Sequence, residues 1–401
     1  MKKPRLAIVV SHPIQHFVHF YRALAAREDL VVKVFFCSRI GVEAYLDKDM
    51  GTIIRWADDM LSGFDHEFLP EAMRIRGTRR LSLNNPSVAG ALNAFGPDAV
   101  IIYGYAQPTQ LRTLAWCRWN KVPVLMIGDS NAVTKRPGWK MVLRQTVLRM
   151  LFSQVTGFLT VGDQNEDLLA SLGVPRARMY RCPFTIDEDR YRRARAERST
   201  LSRSVRDLHG IPYDAFVGIV VGKLIARKRT QDAVVAVAQA AKACSGRRKI
   251  HLLVCGNGPD MEYLEGIVTS LDSPTTFAGF VNIDRLPDYF AAADVLVHPA
   301  DRDAHPLICS EAACVGLPMI LSDLVGTIGL TDIAREGENT IVFKCGDVSD
   351  FAQNIVRLAT NDALCQSMGG ASIRIFEECS SQASVAGLLT AVMAATRRCR
   401  S

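Results

Sequence analysis

Short runs of β-branched and other apolar residues alternate with longer amphipathic segments along almost the whole chain of 401 residues. Such runs are typical of strands that are buried on both faces, and the intervening segments have the length of helices. The pattern therefore predicts an α/β architecture with parallel sheets covered by helices. The predicted strands span 6–10, 30–36, 99–103, 122–127, 157–161, 179–182, 216–221, 250–255, 276–278, 295–298, 319–321 and 340–343.

These strands fall into two blocks, separated by an arginine-rich stretch over 187–211 that lacks a strand pattern. We interpret this stretch as a solvated helix or a linker at a domain boundary. A chain of this length also exceeds what one hydrophobic core usually supports. We predict a Rossmann-like domain over 1–186, a second over 187–374, and a C-terminal helix over 375–401 that crosses back to the first domain. Residues 38–85 are poorly periodic and receive no assignment.

Composition narrows the class of protein. The longest apolar stretches are about ten residues long, whereas a membrane span needs about 20. The apolar run 6–10 is too short for a signal peptide, so we expect a cytoplasmic protein. The eleven cysteines form no Cys-x-x-Cys pair, which favours buried thiols over a metal site. The net charge of +7 favours an anionic partner, but no nucleic-acid-binding module is recognisable.

Loops that follow the predicted strands hold the functional candidates, because ligands of open α/β sheets bind beyond the carboxyl ends of the strands. After strand 216–221 the loop carries four cations, Lys223, Arg227, Lys228 and Arg229. Their mutual repulsion is costly unless an anion such as a diphosphate binds there, although a basic loop in water is an alternative. After strand 250–255, the glycines of 256–258 allow a tight turn or the close approach of a ligand.

Segment 301–318 gives the sharpest indication of a binding site. Pro306 suits the first turn of a helix, and Gly316 suits its end. Amide groups at the start of such a helix bind phosphate, and Asp303 lies in the loop just before it. Glu311 lies inside the helix among apolar residues, so it needs a partner. Ribose hydroxyls and a structural Arg or Lys are the two alternatives.

Segment 303–318 resembles the E-x7-E signature of retaining glycosyltransferases of family four, with Asp303 and Glu311 as the two acids. The loop that contains Gly222, Lys223 and Lys228 resembles that family's Gly-Arg-Leu-x-x-x-Lys element. Segments 256–259, 276–280, 11–17 and 128–131 also match, the last two resembling a subgroup that acts in bacterial surface-polysaccharide synthesis. This resemblance implies the GT-B fold, in which two Rossmann-like domains face a central cleft.

The resemblance also implies roles for individual residues. Lys223 and Lys228 would neutralise the leaving diphosphate of a nucleotide-diphosphate sugar, without a metal or other cofactor. Asp303 would hold hydroxyls of the transferred sugar, and Glu311 would accept hydrogen bonds from the ribose. The other implied donor-binding residues are Gly222, Gly256, Gly258, Gly279, Phe280, His305, Leu307 and Ile308.

Two positions depart from the family pattern. Asp303 is one methylene shorter than the usual Glu, and Lys223 replaces an Arg, which removes the bidentate fork. They motivate an alternative to a hexosyltransferase, namely a weakened GT-B scaffold that acts as a binding protein in a polysaccharide assembly complex. A Rossmann oxidoreductase is disfavoured because the Gly-x-Gly-x-x-Gly fingerprint is missing. An epimerase of the same fold would need acid/base residues that we do not identify.

The N-terminal half would bind the acceptor, a glycan or a lipid-linked glycan. Asp129 follows strand 122–127 and is predicted to orient the acceptor hydroxyl. His12 and His16 follow the first strand and either line the acceptor side or are structural. Basic and apolar residues alternate over 135–152. This pattern predicts either a helix that rests on the anionic inner face of the cell membrane or a core helix with a solvated basic face.

Overall fold

The computed structural model describes residues 3–47, 51–54, 59–75, 77, 81–130 and 138–398. They divide into two compact units. The first comprises the described parts of Met1–Tyr45, Asp58–Ile186 and Ser380–Ser401, and the second those of Leu46–Ala57 and Asp187–Cys379. The described residues of 46–57, a range that we assigned to the N-terminal domain, thus group with the second unit, which ends five residues beyond the predicted 374.

The strands, numbered in chain order, are β1 (Arg5–Val10), β2 (Val31–Phe36), β3 (Tyr45–Asp47), β4 (Thr52–Ile54), β5 (His66–Phe68), β6 (Ala99–Tyr103), β7 (Val124–Gly128), β8 (Gly157–Thr160), β9 (Met179–Arg181), β10 (Phe216–Val221), β11 (Ile250–Cys255), β12 (Thr275–Gly279), β13 (Val295–His298), β14 (Met319–Ser322) and β15 (Thr340–Phe343).

The helices are α1 (Gln15–Ala25), α2 (Val88–Phe95), α3 (Pro108–Asn120), α4 (Gly138–Ser153), α5 (Asp163–Ser171), α6 (Glu188–Ala196), α7 (Arg198–His209), α8 (Thr230–Ala243), α9 (Met261–Leu271), α10 (Leu286–Ala292), α11 (Leu307–Val315), α12 (Val348–Ala359), α13 (Asp362–Glu378) and α14 (Ser381–Arg398).

The first unit is built on a seven-stranded parallel sheet in the order β5-β2-β1-β6-β7-β8-β9. On one side the sheet packs against α2, α3, α4 and α5 through apolar residues such as Leu92, Leu114, Leu148 and Leu169. Helix α14 also belongs to this unit and packs on β8 and β9. It approaches β9 so closely that a Cβ atom on Gly387 would lie 1.8 Å from the carbonyl oxygen of Arg181.

The second unit has a six-stranded parallel sheet in the order β12-β11-β10-β13-β14-β15. Its core joins the inward residues of β10 and β11 to α8 and α12, with Val237 and Ile355 both 1% exposed. The ring of Phe351 stacks on that of Phe343, with the centroids 4.4 Å apart. Continuous apolar strands covered by helices explain why the periodic pattern located these elements well.

The interpretation of 187–211 as a solvated helix or a linker at a domain boundary is correct in part, because the stretch is helical and starts at the boundary between the units but also carries buried side chains. This stretch forms α6 and α7, which bury Tyr191 and Val205. Arg206 is only 6% exposed. Its guanidinium donates to the carbonyl oxygens of Ala215 and Ala292, so its buried charge is paired by backbone acceptors and by the carboxylate of Asp294 at 3.1 Å. The arginine-rich composition did not show that Arg206 is a buried residue with a structural role.

Among the residues that the structure describes, one stretch, 362–397, is long and apolar enough to cross a membrane by length and composition alone. Helices α13 and α14 make up this stretch, and residues 379–380 interrupt it. Both helices bury apolar side chains, such as Phe376 of α13 and Leu388 of α14, in the packed units. We therefore interpret them as core helices.

Candidate functional site

Four strands of the second unit end at the loops that we expect to hold the donor. The loops after β10, β11 and β12 are joined by backbone hydrogen bonds, from the Gly222 amide to the Cys255 carbonyl at 3.0 Å and from the Gly256 amide to the Gly279 carbonyl at 2.7 Å. Gly222 and Gly279 have φ angles of 142° and 69°. These values favour glycine, because a side chain is strained there.

The glycines Gly256 and Gly258 are required for the packing of these loops. A Cβ atom on Gly256 would lie 1.8 Å from the carbonyl oxygen of Gly222, and one on Gly258 would lie 2.3 Å from that of Leu224. The sequence left a tight turn and the approach of a ligand as alternatives. The structure gives a third reason for these glycines, namely the approach of one loop to another, and their donor-binding role stays a prediction.

Lys228, Asp303 and His298 form a cluster at the carboxyl ends of β10 and β13. The Lys228 ammonium donates to Oδ2 of Asp303, and Nε2 of His298 donates to the same oxygen at 2.9 Å. The side chains of Lys228 and Asp303 are 14% and 16% exposed. Neither hydrogen bond uses Oδ1 of Asp303, so this second carboxylate oxygen is available to a further donor.

Electrostatics fix the charge states in this cluster. Burial opposes ionisation of Asp303, but the hydrogen bond from His298 and the charge of Lys228 outweigh it and hold the pKa of Asp303 well below its usual range. Burial lowers the pKa of His298, which keeps its ring neutral at neutral pH. The cluster therefore consists of a carboxylate, an ammonium and a neutral imidazole that orients the carboxylate.

The cations after β10 have partners within the chain itself, and their binding of an external anion stays a prediction. The Lys223 ammonium lies 2.9 Å from Oδ2 of Asp47, the last residue of β3. Arg229 pairs with Asp232 at 2.6 Å, and Arg227 donates to the carbonyl oxygen of residue 302 at 3.1 Å. Two carboxylates and a backbone carbonyl of the chain itself thus pair with the cations of this loop. An anionic ligand would compete with these partners.

Helix α11 begins at Leu307, followed by Ile308, directly after the loop that holds Asp303. Its first amide groups are therefore presented on the same edge of the sheet as the Lys228 cluster. Glu311 is 8% exposed. Burial raises its pKa to about 7, an effect that the nearby Tyr191 hydroxyl partly offsets. Among the residues that the structure describes, no Arg or Lys forms an ion pair with Glu311, which removes one of our two alternatives.

His305 lies in the same loop as Asp303, just before α11. Its side chain is 3% exposed and its Nε2 atom lies 3.4 Å from Oδ1 of Asp332, which is 2% exposed. The Asp332 carboxylate also accepts from the amide of Ile333 at 2.8 Å. This buried pair holds the loop that precedes α11 against the segment that follows β14.

Comparison with known proteins identifies the second unit. Residues 215–361 match the family described as Glycosyl transferases group 1. These residues form a group 1 glycosyltransferase domain.

Two known proteins are similar in sequence to parts of this chain. An exopolysaccharide phosphotransferase of Streptomyces coelicolor is 29% identical over 148 residues, which are 37% of this chain and 15% of the relative. A GDP-mannose-dependent alpha-(1-6)-phosphatidylinositol monomannoside mannosyltransferase of Mycobacterium tuberculosis is 25% identical over 244 residues, 58% of this chain and 60% of the relative. The matches thus span less than two thirds of either relative.

A solved structure matches nearly the whole chain. The Anabaena protein HepE, in complex with UDP and glucose, aligns with a TM-score of 0.68 at 14% identity and covers 96% of this chain and 99% of its own. At this identity the likeness shows the fold. The α/β GT-B fold class that we predicted is confirmed.

The first unit, which precedes the glycosyltransferase domain, carries the predicted acceptor-side residues. His12 follows β1 and its Nδ1 atom lies 2.9 Å from the Ser11 hydroxyl. Burial lowers the pKa of His12 to about 4 and that of His16 to about 3. Both rings are therefore neutral at physiological pH. Asp129 follows β7 and is exposed to solvent.

The predicted membrane-binding segment 135–152 is described only in part. Lys135 and Arg136 lie outside the described residues, and no side chain is described over 138–144. In the remainder of α4, Leu148 and Phe152 are buried, whereas Val147 and Met150 are 56% and 69% exposed. This end of the helix thus has one face in the core and a mixed apolar face in solvent.

Within the described ranges, no three His, Cys, Asp or Glu side chains come together as a metal ion would require.

Sequence reasoning missed His298, Asp332, Tyr191 and Asp47 as partners of the site. His298 ends a predicted strand, and its position at a carboxyl edge was an available signal. Asp47 carried no signal, because it lies in the poorly periodic stretch 38–85.

Proposed function

We propose that the protein is a retaining glycosyltransferase, a hexosyltransferase that moves a sugar from a nucleotide-diphosphate sugar to a glycan or lipid-linked acceptor in bacterial surface-polysaccharide synthesis. The observation that carries this proposal is the Lys228–Asp303–His298 cluster at the strand ends of a group 1 glycosyltransferase domain. A UDP- and glucose-bound structure with the same fold and a GDP-mannose-dependent relative support a nucleotide sugar as the donor.

The diphosphate of the donor would bind between ammonium groups and helix amides. Lys228 and Lys223 stabilise the negative charge that develops on the leaving diphosphate, which lowers the barrier to transfer. The amides of Leu307 and Ile308 at the start of α11 add uncharged donors. To bind, the diphosphate takes over Lys223 from Asp47. With these cations in place, the proposed reaction needs no metal or other cofactor.

The sugar and the ribose would be held by the two acids. Oδ2 of Asp303 is fixed by Lys228 and His298, so Oδ1 accepts a hydrogen bond from a hydroxyl of the transferred sugar. Glu311 accepts from the ribose hydroxyls and ionises as it does so, because a hydrogen bond to the carboxylate favours the charged form. The backbone around Gly279 and Phe280 contacts the base.

In the transfer step, an acceptor oxygen forms a bond to the anomeric carbon on the face from which the diphosphate departs. The bond between that carbon and the diphosphate oxygen breaks, and the acceptor proton passes to the departing phosphate. Asp129 of the first unit orients the acceptor hydroxyl, and His12 and His16, both neutral, line the acceptor side. We place the enzyme in the cytoplasm, as a peripheral protein at the inner face of the cell membrane through 135–152.

The test is a screen of UDP-, GDP- and ADP-sugars for thermal stabilisation of the full chain, followed by transfer and hydrolysis assays with each ligand that binds. A ligand present at 100 times its Kd stabilises the protein by about 2.7 kcal/mol. Glu311→Ala should abolish the stabilisation, whereas the exposed Glu262→Ala should retain it. NMR coupling constants of the product report the anomeric configuration. If no nucleotide sugar stabilises the protein, the proposal fails.

The engagement of Lys223 by Asp47, together with Asp303 in place of a longer acid, favours one alternative. In that alternative the chain is a weakened GT-B scaffold that binds a nucleotide sugar within a polysaccharide assembly complex. Stabilisation by a nucleotide sugar without turnover, for the native protein and for Asp303→Glu alike, would favour the scaffold.

A further inference from the structure

A cavity of about 50 Å³ lies in the first unit, among residues to which we assign no part in donor binding. It lies between α4, α5 and the carboxyl-terminal parts of β7 and β8, and it is partly open. Its walls are chiefly apolar and include Met126, Leu148, Phe152, Phe158, Leu169 and Leu172. Protein interiors are close-packed, since lining atoms without a neighbour lose dispersion contacts. A space of this kind at the strand ends is therefore a candidate ligand site.

The walls of this apolar cavity offer few polar partners. The Phe152 ring lies 5.5 Å from that of Tyr105 and 5.2 Å from that of Phe158, centroid to centroid. Asn165, one of the polar lining residues, donates its amide to the carbonyl oxygen of Ser130 at 2.7 Å. Water in such a site finds few of the polar partners that it needs, so its displacement by an apolar group is favourable. The chemistry of the walls selects a hydrocarbon.

Glycines line the cavity where β6 and β7 end. Gly104 has a φ of 70°, which favours glycine on its own account. Gly128 has no such backbone requirement, and a Cβ atom built on it meets no atom within 4 Å. The space beside Gly128 is therefore open enough to accept a side chain at this position. The next residue, Asp129, is the side chain proposed to orient the acceptor hydroxyl.

We infer that this cavity receives the end of the hydrocarbon chain of the acceptor, which makes the acceptor lipid-linked rather than a free glycan. The inference rests on the proposed function, because it uses the acceptor role of Asp129. The volume is about one third of the ~150 Å³ apolar cavity known to hold benzene, so only a chain end fits. A sugar ring is excluded by size and by its hydroxyls, which would lack partners among these walls.

The first test measures the binding of methyl, butyl, hexyl and octyl β-glucoside to the full chain by calorimetry, each below its critical micelle concentration. Each methylene that enters the cavity should strengthen binding about fourfold, from the transfer free energy of a CH₂ group, until the cavity is full. Decyl phosphate and farnesyl phosphate form a second arm, which distinguishes a linear from a prenyl chain. Equal affinities for the methyl and octyl glucosides would overturn the inference.

The second test fills the cavity. Gly128→Leu places a side chain there without a clash at Cβ, and it should remove the dependence of affinity on chain length, a loss of about tenfold or more for octyl glucoside. Gly90→Leu, on α2 and also without a neighbour within 4 Å, is the matched control and should bind as the native protein does. A chain-length effect that persists in Gly128→Leu would also overturn the inference.

The outcome is independent of the donor site. Stabilisation by nucleotide sugars and turnover are measured on the same preparations of the native protein and of both variants. If alkyl chains bind as expected but no sugar is transferred, the proposed function fails and the hydrocarbon site stands. If transfer to methyl and octyl glucoside is equally efficient in every variant, the function stands and the hydrocarbon site fails.

Discussion

The carboxyl edges of the two sheets have the same strand-and-helix plan but opposite chemistry. In the second unit the edge carries charged groups held in ion pairs, with Lys228 on Asp303 and Lys223 on Asp47. In the first unit the edge carries two neutral histidines and an apolar cavity. The comparison indicates that one topology can present two kinds of surface at its strand ends, and that the loop side chains decide which kind it is.

Substitution of Lys228 is expected to have the largest effect, and it tests the charged edge of the second unit. Lys228→Ala should lower kcat for sugar transfer by about 100- to 1,000-fold, because one preorganised charge on the leaving group is lost. Lys249→Ala is the control, since Lys249 is 62% exposed and pairs with the surface residue Asp214. Steady-state kinetics with circular dichroism separate catalysis from folding. A kcat close to the native value would show that Lys228 at this charged edge does not act in catalysis.

Glu311 should make donor binding depend on pH. Its pKa is raised to about 7, so the folded protein keeps a proton that the unfolded chain loses above about pH 4.5. Glu311 thus favours folding below pH 4.5, and this contribution is lost as the pH rises through 7. The carboxylate binds ribose, so the affinity for a nucleotide sugar should rise about tenfold from pH 6 to pH 8.

Glu311→Gln is the matched variant, because it cannot ionise. Calorimetric titration at pH 6, 7 and 8 should give a flat profile for this variant and a rising one for the native protein. A nucleotide sugar is the right probe, since its diphosphate binds no proton near neutral pH. Identical profiles would show that Glu311 does not bind the donor as a carboxylate.

The neutral histidines should make the first unit sensitive to acid. Because the pKa of His12 is lowered to about 4, the folded protein binds fewer protons than the unfolded chain between pH 4 and 6.5. The free energy of unfolding should therefore fall as the pH falls through that window. His12→Asn should reduce the loss between pH 7 and pH 5 by about 2 kcal/mol, measured by urea unfolding. An unchanged loss would contradict the neutral assignment.

The smallest effect is expected at Asp47. Asp47→Asn should strengthen the binding of the nucleotide sugar about two- to fourfold, because the diphosphate no longer competes with a carboxylate for Lys223. Asp214→Asn, which removes a comparable surface pair with Lys249, is the control and should leave the affinity unchanged. Weaker binding in Asp47→Asn would mean that Asp47 contacts the ligand itself.

Much of the fold could be predicted from the sequence. Strands 216–221, 250–255 and 295–298 were predicted with the bounds that the structure has, because apolar runs buried on both faces have a clear local signal. Strands β3, β4 and β5 were missed, since each has only three residues and no such run. Helices α6 and α7 were misjudged because composition does not show that the Arg206 guanidinium is paired by buried carbonyls.

Those site residues that belong to a local sequence motif could be predicted. Lys228 and Asp303, 75 positions apart, were both chosen from the resemblance, and the structure joins them directly. Asp47 pairs with Lys223 across 176 positions and could not be foreseen, because no periodicity or motif links them. The apolar cavity likewise depends on how α4 and α5 pack, which a linear pattern does not encode.

The central claim is that the second unit binds the diphosphate of a nucleotide sugar through the loop after β10 and the start of α11. Amide hydrogen–deuterium exchange of the full chain, with and without a saturating nucleotide sugar, tests this claim most directly. We predict slower exchange over 222–230 and 303–312 and unchanged exchange over 157–172. Unchanged exchange in both donor segments, under conditions in which the ligand stabilises the protein, would contradict it.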